Sequence, residues 1–401
     1  MSHAHAIALA LCLAWPLVEA WRQIAAWRAL RAMPSAPAGV DAPDRFAAVD
    51  VLQPIRSGDP TLGEALGASL RALGARGATL HWLIDEDDPT AAVAVRGVLA
   101  RQPELASRVR VGLHPPCPAG VNPKLFKLDR ALAGCAGDTV LVLDDDARLP
   151  PATLDALLAA LPGAPAPAAN PVVATALPAY LPAPGSGSRL LARFVNDHAP
   201  ITYLPPRLAG GAPTLNGMCW AMRRDALLSI GGFAPRLHHL TDDLAMAQAV
   251  LDAGGRIDQR SEPVWMRTAL PDRAAYVAQM HRWMLFGLLL ARAQRWPARL
   301  RVLLGQGLPS LLPLAATLAL AASPSWAGAI AVACGAGAHV LGRRALQRAC
   351  AGAAAKAEPA TSLLVALLLP LHLLHAALVP RIRWRTHRYR VYANDRFEAL
   401  P

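Results

Sequence analysis

Cysteine is scarce and scattered in this 401-residue chain. The six present, Cys12, Cys117, Cys135, Cys219, Cys334 and Cys350, form no CxxC pair and show no metal-ligand spacing with histidine. That pattern argues against a disulfide framework or a zinc ribbon and fits free thiols in a reducing compartment. Acids are also in short supply, with 28 Asp and Glu against 40 Lys and Arg, giving a formal net charge of +12. No nucleic-acid motif accompanies this excess, and the arginines cluster beside apolar segments, so the expected partner is anionic lipid and not nucleic acid. Missing too is the positive charge that precedes the apolar stretch of a secretory signal peptide. Residues 6–21 are almost uncharged apart from Glu19, and Arg22, Arg28 and Arg31 come after them. An anchor with its amino end outside fits that order better.

Apolar residues, by contrast, are abundant: 54% of the chain is hydrophobic and 17% charged. Apolar and arginine-rich together describe a protein partly in a bilayer. The length suffices for one large domain or two ordinary ones. After the amino-terminal anchor (residues 1–32), three further candidate segments lie at 302–322, 326–341 and 361–379, the second short and Ala/Gly-rich. Arg295, Arg299 and Arg301 precede the first, Arg343, Arg344 and Arg348 follow the second, and Arg381, Arg383, Arg385, Arg388 and Arg390 follow the third. Two inside clusters, at 343–348 and 381–390, require an even number of crossings between them, and one is counted. Either the third segment is re-entrant or interfacial, or the basic tail (381–401) lies on the outer side.

Between the anchors, residues 44–290 carry the rhythm of an α/β domain. Strands are expected at 49–52, 79–84, 109–113 and 139–143, and helices at 61–73, 91–101 and 123–133. Residues 161–184, rich in Pro and Ala, read as an extended connector, and 189–204 as a partly apolar segment on the membrane surface. In such sheets ligands collect at the carboxyl ends of strands. Gln53-Pro54-Ile55-Arg56 ends the first strand, Asp85-Glu86-Asp87-Asp88-Pro89 the second, and Asp144-Asp145-Asp146 the fourth. Consecutive strand side chains alternate in direction, so Asp144 and Asp146 converge on one side, a site for a hard divalent cation with a nucleotide diphosphate. A polar turn after a core strand would read the same from the triplet alone.

Two motifs follow. Thr241-Asp242-Asp243 opens a helix over 244–253, where Thr is a good cap and acids in the first turn complement the helix dipole. On that reading Asp242 is a spectator. In Gln279-Met280-His281-Arg282-Trp283, a helix places Gln279, Arg282 and Trp283 on one face, where Arg binds phosphate oxygens and Trp supplies a stacking wall. A membrane-interface helix with a Trp/Arg belt is the bland alternative.

In order, DDP, NPK, DDD, NGM, TDD and QxxRW resemble the membrane-anchored, inverting GT-A glycosyltransferases, most closely the ceramide glucosyltransferase group, with bacterial hopanoid-associated glycosyltransferases as close relatives. The resemblance covers about residues 49–286, plus the layout of one anchor before and several after. It implies a Rossmann-like GT-A nucleotide-sugar domain with one amino-terminal and about three carboxyl-terminal membrane segments. Carried residue by residue, it implies donor contacts at Pro54, Asp88, Lys124, Asp144, Gln279, Arg282 and Trp283, a divalent cation (Mg²⁺ or Mn²⁺) on Asp144 and Asp146, and Asp243 as the catalytic base. His198, in Asn196-Asp197-His198, fits a histidine that the family places near the donor, although the flanking residues differ. The chain departs by carrying three acids where close eukaryotic relatives keep only the first.

The implied reaction is a metal-dependent, inverting transfer of a hexose from a UDP-sugar to a membrane-lipid hydroxyl. Ceramide and UDP-glucose are the expected pair. A hopanoid polyol with a UDP-N-acetylglucosamine-like donor is the rival, and a non-catalytic nucleotide-sugar-binding scaffold is the reading from a different class. The expected location is a bacterial inner membrane with the catalytic domain in the cytoplasm. For the base, a helix amino terminus lowers a carboxyl pKa and nearby phosphates raise it.

Overall fold

The computed structural model describes residues 2–33, 46, 48–163, 170–352, 358–384 and 387–400. The expected domain start at Asp44 and Arg385 of the tail lie outside the described residues. The strands of the main sheet, in chain order, are β1 (Val49–Ile55), β2 (Thr79–Asp85), β3 (Val109–His114), β4 (Thr139–Leu143), β5 (Ala147–Arg148), β6 (Val172–Tyr180), β7 (Cys219–Arg223) and β8 (Arg256–Met266). They line up as β3-β2-β1-β4-β7-β6-β8-β5. The first four are parallel, β7 runs antiparallel to both β4 and β6, and β8 is parallel to β6. β1, β2 and β4 are almost wholly buried, as their continuous apolar runs require of strands covered on both faces. This is the expected α/β architecture, and the expected strands and helices of its first half fall within a few residues of those found.

The helices up to the carboxyl-side segments are α1 (His3–Arg31), α2 (Leu62–Leu73), α3 (Pro89–Arg101), α4 (Pro123–Leu132), α5 (Pro151–Ala160), α6 (Ser186–Tyr203), α7 (Arg224–Ser229), α8 (Asp242–Asp252) and α9 (Arg273–Ala293). Local chemistry sets their starts. Asn122 caps α4, accepting from the amides of Lys124 and Leu125, with Pro123 as its first residue, a position where a missing N–H costs nothing.

Two expectations in the middle of the chain are corrected. The part of 161–184 that is described is not simply a connector, because Val172–Tyr180 forms β6, buried along its whole length. Its Val, Thr and Ala side chains fill a strand enclosed on both faces, and the flanking prolines hid that run. Residues 189–204 do not lie on a surface either. They form α6, which buries Leu191, Val195, Asp197, His198 and Ile201 between β6 and the carboxyl-side helices.

Beyond α9 come α10 (Trp296–Val302), α11 (Leu312–Ala322), α12 (Trp326–Ala351) and α13 (Pro359–Leu378). Among the described residues, three helical runs are long and apolar enough to cross a membrane: His3–Arg31, Trp296–Ala322 and Pro359–Leu378. Thus two of the three expected carboxyl-side segments qualify, and α12 does not. It lies along α1, where Gly335 lets the helices approach so closely that a Cβ would meet the Trp15 ring at 2.7 Å. A buried polar seam joins this bundle to α6 and, through it, to the main sheet. Arg343 of α12 donates to both oxygens of Glu19 on α1 at 2.7 and 2.9 Å, and Asp197 of α6 accepts from Gln347 and Ser362 at 2.6 Å each.

The basic tail is an ordered antiparallel sheet of β9 (Arg381–Trp384), β10 (His387–Val391) and β11 (Phe397–Leu400). Its Ile382 and Val391 pack with Leu240 and Leu244 at α8, Leu285 and Leu289 of α9, and Ala376 of α13.

Candidate active site

The carboxyl ends of β1, β2 and β4 converge and are tied together by charge. Arg56, just past β1, donates to Asp85 at 2.9 Å and Asp87 at 3.2 Å, while its backbone N–H donates to Asp145 at 2.8 Å. Lys127 of α4 donates to the Ile55 carbonyl at 2.9 Å and to Asp85 at 3.1 Å. Pro54 sits in β1 beside Leu83. Asp88 is not a solvated turn residue. It is buried, accepts from the amides of Ala91 at 3.0 Å and Ser57 at 2.7 Å, and so caps α3 and pins the loop after β1. Burial would raise its carboxyl, but these hydrogen bonds and Arg56 outweigh that and hold it below the ordinary range.

Lys124 is the hub. Its ammonium lies 2.7 Å from Asp144 and 2.8 Å from Asp242, and donates to the Gly217 carbonyl at 2.9 Å. Burial would lower it, and the two carboxylates reverse that and keep it charged. The Asn216-Gly217-Met218 loop locks the same corner. Asn216 donates to the Ala176 carbonyl at 3.2 Å, and the Asp144 amide donates to the Met218 carbonyl at 2.9 Å. A Cβ at Gly217 would stand 3.0 Å from the Cβ of Asp243, so a bare backbone is needed where this loop passes the carboxylate.

Asp243, in the first turn of α8, accepts from the Leu244 amide at 2.7 Å. Burial, with Asp242 beside it, raises its carboxyl to about 7. Desolvation and like charge therefore overcome the helix dipole without any phosphate present. Asp242 is a partner of Lys124 and no spectator. Thr241 does not cap α8 with its side chain; its hydroxyl donates to Asn394 at 2.8 Å.

Asp146 has no cationic partner among the described residues, and burial followed by Asp144, Asp145 and Asp59 pushes its carboxyl well above the ordinary range. On the far wall, Arg282 donates to Gln279 at 2.8 Å, as the one-face helical spacing requires. Trp283 meets Tyr180 edge-on at a centroid distance of 6.4 Å and Phe194 at 6.1 Å. Tyr180 feels both Asp146 and Arg282, which places the QxxRW helix beside the acids. His198 stacks on Phe194 at 4.8 Å, one ring removed from Trp283. Burial first, and then the nearby Arg343, His339 and Arg22, push its imidazole well below the ordinary range. Its surroundings are the polar seam, and the carboxylate cluster does not include it.

Arg56, Lys127, Asp242 and Gly217 had no assigned role in the sequence. Lys127 was findable, since it stands one turn beyond Lys124 on the same face of α4. Cysteine spacing also missed a cluster at the opposite end of the sheet, where ligand atoms of Asp50, His81 and Cys135 lie within 4.8 Å of one another. His81 Nε2 is 2.6 Å from Asp50, whose other oxygen accepts from Gly137 N–H at 2.6 Å. Burial and Asp50 raise the Cys135 thiol to about 12, while against its own burial the bonds from His81 and Gly137 hold the Asp50 carboxyl below its ordinary range.

The family model for glycosyl transferase family 21 matches residues 6–397, nearly the whole chain. The chain belongs to glycosyl transferase family 21. No curated protein matches this family 21 member. Among solved structures it is similar to the mannosyltransferase PcManGT from Pyrobaculum calidifontis in complex with GDP-Man and Mn²⁺. The two are 19% identical, with 94% of this chain and 98% of that one covered and a TM-score of 0.58, which shows a shared GT-A fold. Glucosyl-3-phosphoglycerate synthase from Mycobacterium tuberculosis, with Mn²⁺, UDP and phosphoglyceric acid, is also 19% identical over 63% of this chain and 80% of that one, with a TM-score of 0.36.

Proposed function

We propose that this family 21 enzyme transfers a hexose from a UDP-sugar to the hydroxyl of a membrane lipid, with inversion to a β-glycoside. By the motif resemblance, the donor is UDP-glucose and the acceptor ceramide, at the cytoplasmic face of a bacterial inner membrane. The observation that carries the reading is Asp243. A half-buried carboxylate raised to about 7, beside Lys124 and the acids at the end of β4, has the basicity to take a proton from a hydroxyl near neutral pH. A single displacement assisted by one base, with no covalent intermediate, inverts the anomeric centre.

Asp144 and Asp146 are the residues that would hold a divalent cation. The fit is one of charge: Asp146 is half-buried, crowded by three other carboxylates and unpaired with any cation among the described residues, and hard oxygen donors suit Mg²⁺ or Mn²⁺. The GT-A mannosyltransferase solved with GDP-Man and Mn²⁺ supports the same choice. When bound, such an ion supplies Lewis-acid stabilisation to the leaving diphosphate. Lys124 and Arg282 add fixed positive charge for that leaving group, and Trp283 and Tyr180 wall the site with aromatic faces.

A lipid acceptor is supported by how the site is mounted. The helix bearing Gln279, Arg282 and Trp283 is fastened to the apolar helix α13: His281 is 2.9 Å from the Val379 carbonyl and its ring is 4.2 Å from that of His375. Washed membranes from a host expressing the full chain should convert UDP-glucose and ceramide to a glycolipid detected by mass spectrometry. Chelator should stop turnover and added Mn²⁺ or Mg²⁺ restore it. Full turnover by metal-free enzyme would refute the metal role. A sugar-bearing hopanoid polyol as the product, with ceramide untouched, would reassign the acceptor.

A further inference from the structure

The helix that presents Asp243 is held at its start by a residue from the far end of the chain. Asn394 lies in the turn between β10 and β11, about 150 residues from the base, and four hydrogen bonds join it to Leu240 and Thr241. Its Oδ1 accepts from the Thr241 N–H at 2.7 Å and the Thr241 hydroxyl at 2.8 Å. Its Nδ2 donates to the Thr241 carbonyl at 3.2 Å, and its own carbonyl accepts from the Leu240 N–H at 2.7 Å. A single asparagine side chain thus satisfies the amide, the hydroxyl and the carbonyl of the residue that begins α8.

The consequence is positional. The Thr241 side chain makes no cap hydrogen bond to the first turn and donates to Asn394, and among the described residues Asp243 accepts from its neighbour, the Leu244 amide, at 2.7 Å. What fixes the register of that turn is therefore the pair of asparagines outside it. Asn122 holds the His239 and Leu240 carbonyls at 3.0 and 3.2 Å from one side, and Asn394 holds Thr241 from the other. The apolar contacts of Ile382 and Val391 with Leu240 and Leu244 seat the tail sheet so that this asparagine meets the cap.

We propose that Asn394 is a positioning residue for sugar transfer, through which the carboxyl-terminal sheet sets the place of the Asp243 carboxylate. It touches neither donor nor acceptor and acts through Thr241. The inference rests on the reading of Asp243 as the base.

The test uses the full chain in lipid vesicles and measures kcat, donor KM, donor affinity by UDP competition, and Tm. Asn394→Ala removes three of the four hydrogen bonds while Asn122 and the apolar seat remain. We expect kcat to fall about 10- to 10²-fold, the scale of a small misplacement of a reacting group, with donor affinity unchanged. Asn394→Asp keeps both acceptor contacts from Thr241 and should recover most of that loss, and Thr241→Val should reproduce part of it. Wild-type kcat in Asn394→Ala, or an equal loss of kcat and donor affinity, would overturn the proposal. If Asn394→Ala fails to fold, Thr241→Val decides: wild-type kcat there overturns the proposal. Asp243→Asn run in parallel separates the two ideas. Normal turnover there removes the base reading itself, whereas an inactive Asp243→Asn beside an unaffected Asn394→Ala removes only the clamp.

Discussion

At the scale of single residues, the site is a negotiation between burial and charge. Lys124 bridges one acid past the end of β4 and one at the start of α8, and each carboxyl of the cluster settles where its neighbours leave it. Asp88 is drained of basicity by amides, Asp146 is loaded with it by crowding, and Asp243 ends near 7. Because a base must be ionised to act, kcat should fall as pH drops below about 7, approaching tenfold per pH unit. Stability should move the other way. A carboxyl raised from about 4 in the unfolded chain to about 7 when folded binds its proton more tightly in the native state. Its stabilising contribution is complete below about pH 4 and is lost as pH rises through 7. Asp243→Asn should accordingly raise Tm at pH 8 and leave it unchanged at pH 4; the same Tm gain at both pH values would contradict the assignment. The QxxRW spacing was legible in the sequence because helical periodicity is a local rule, whereas the aspartate triplet lies past the end of β4 in the turn before β5, where strand alternation does not apply. The salt bridges of Lys124 were not legible, since its partners Asp144 and Asp242 come from distant segments.

At the scale of elements, the first half of the sheet could be read from apolar runs bounded by polar ends, and the second half could not. β6 was hidden by flanking prolines and alanines. α6 looked interfacial because its apolar face is interrupted by Arg193, Asp197 and His198, which are in fact buried among one another and the seam residues. Periodicity cannot show that a charge is buried against a partner more than a hundred residues away. The same long-range packing governs α9. Its cluster with α13 and the tail, through Leu285, Leu289, Ala376 and Ile382, is the frame that keeps Gln279, Arg282 and Trp283 facing the acids. Truncation before Val302 removes that frame, and lipid glycosylation in membranes should drop to background, read as labelled glycolipid. Undiminished product from the truncated chain would show that α9 needs no membrane helix behind it.

At the scale of the whole molecule, apolar and basic composition pointed to a protein partly in a bilayer, and among the described residues three helical runs meet the length and hydropathy of a span. Two of the three expected carboxyl-side segments meet those criteria; α12, Ala- and Gly-rich as a span can be, carries its arginines inside the helix and sets Arg343 on Glu19. The polar seam of Glu19, Arg343, Gln347, Ser362 and Asp197 makes anchor, carboxyl-side helices and catalytic sheet one body, so the site is presented at a fixed height relative to the apolar helices. In the proposed reaction, Asp243 deprotonates a lipid hydroxyl within that body. The most direct test is Asp243→Asn in vesicles, with donor affinity and lipid turnover measured on the same preparation. Asparagine keeps shape and the hydrogen bond from Leu244 but accepts no proton, so donor binding should survive while turnover falls about 10²–10⁴-fold. Near-normal turnover with intact donor binding would contradict the account.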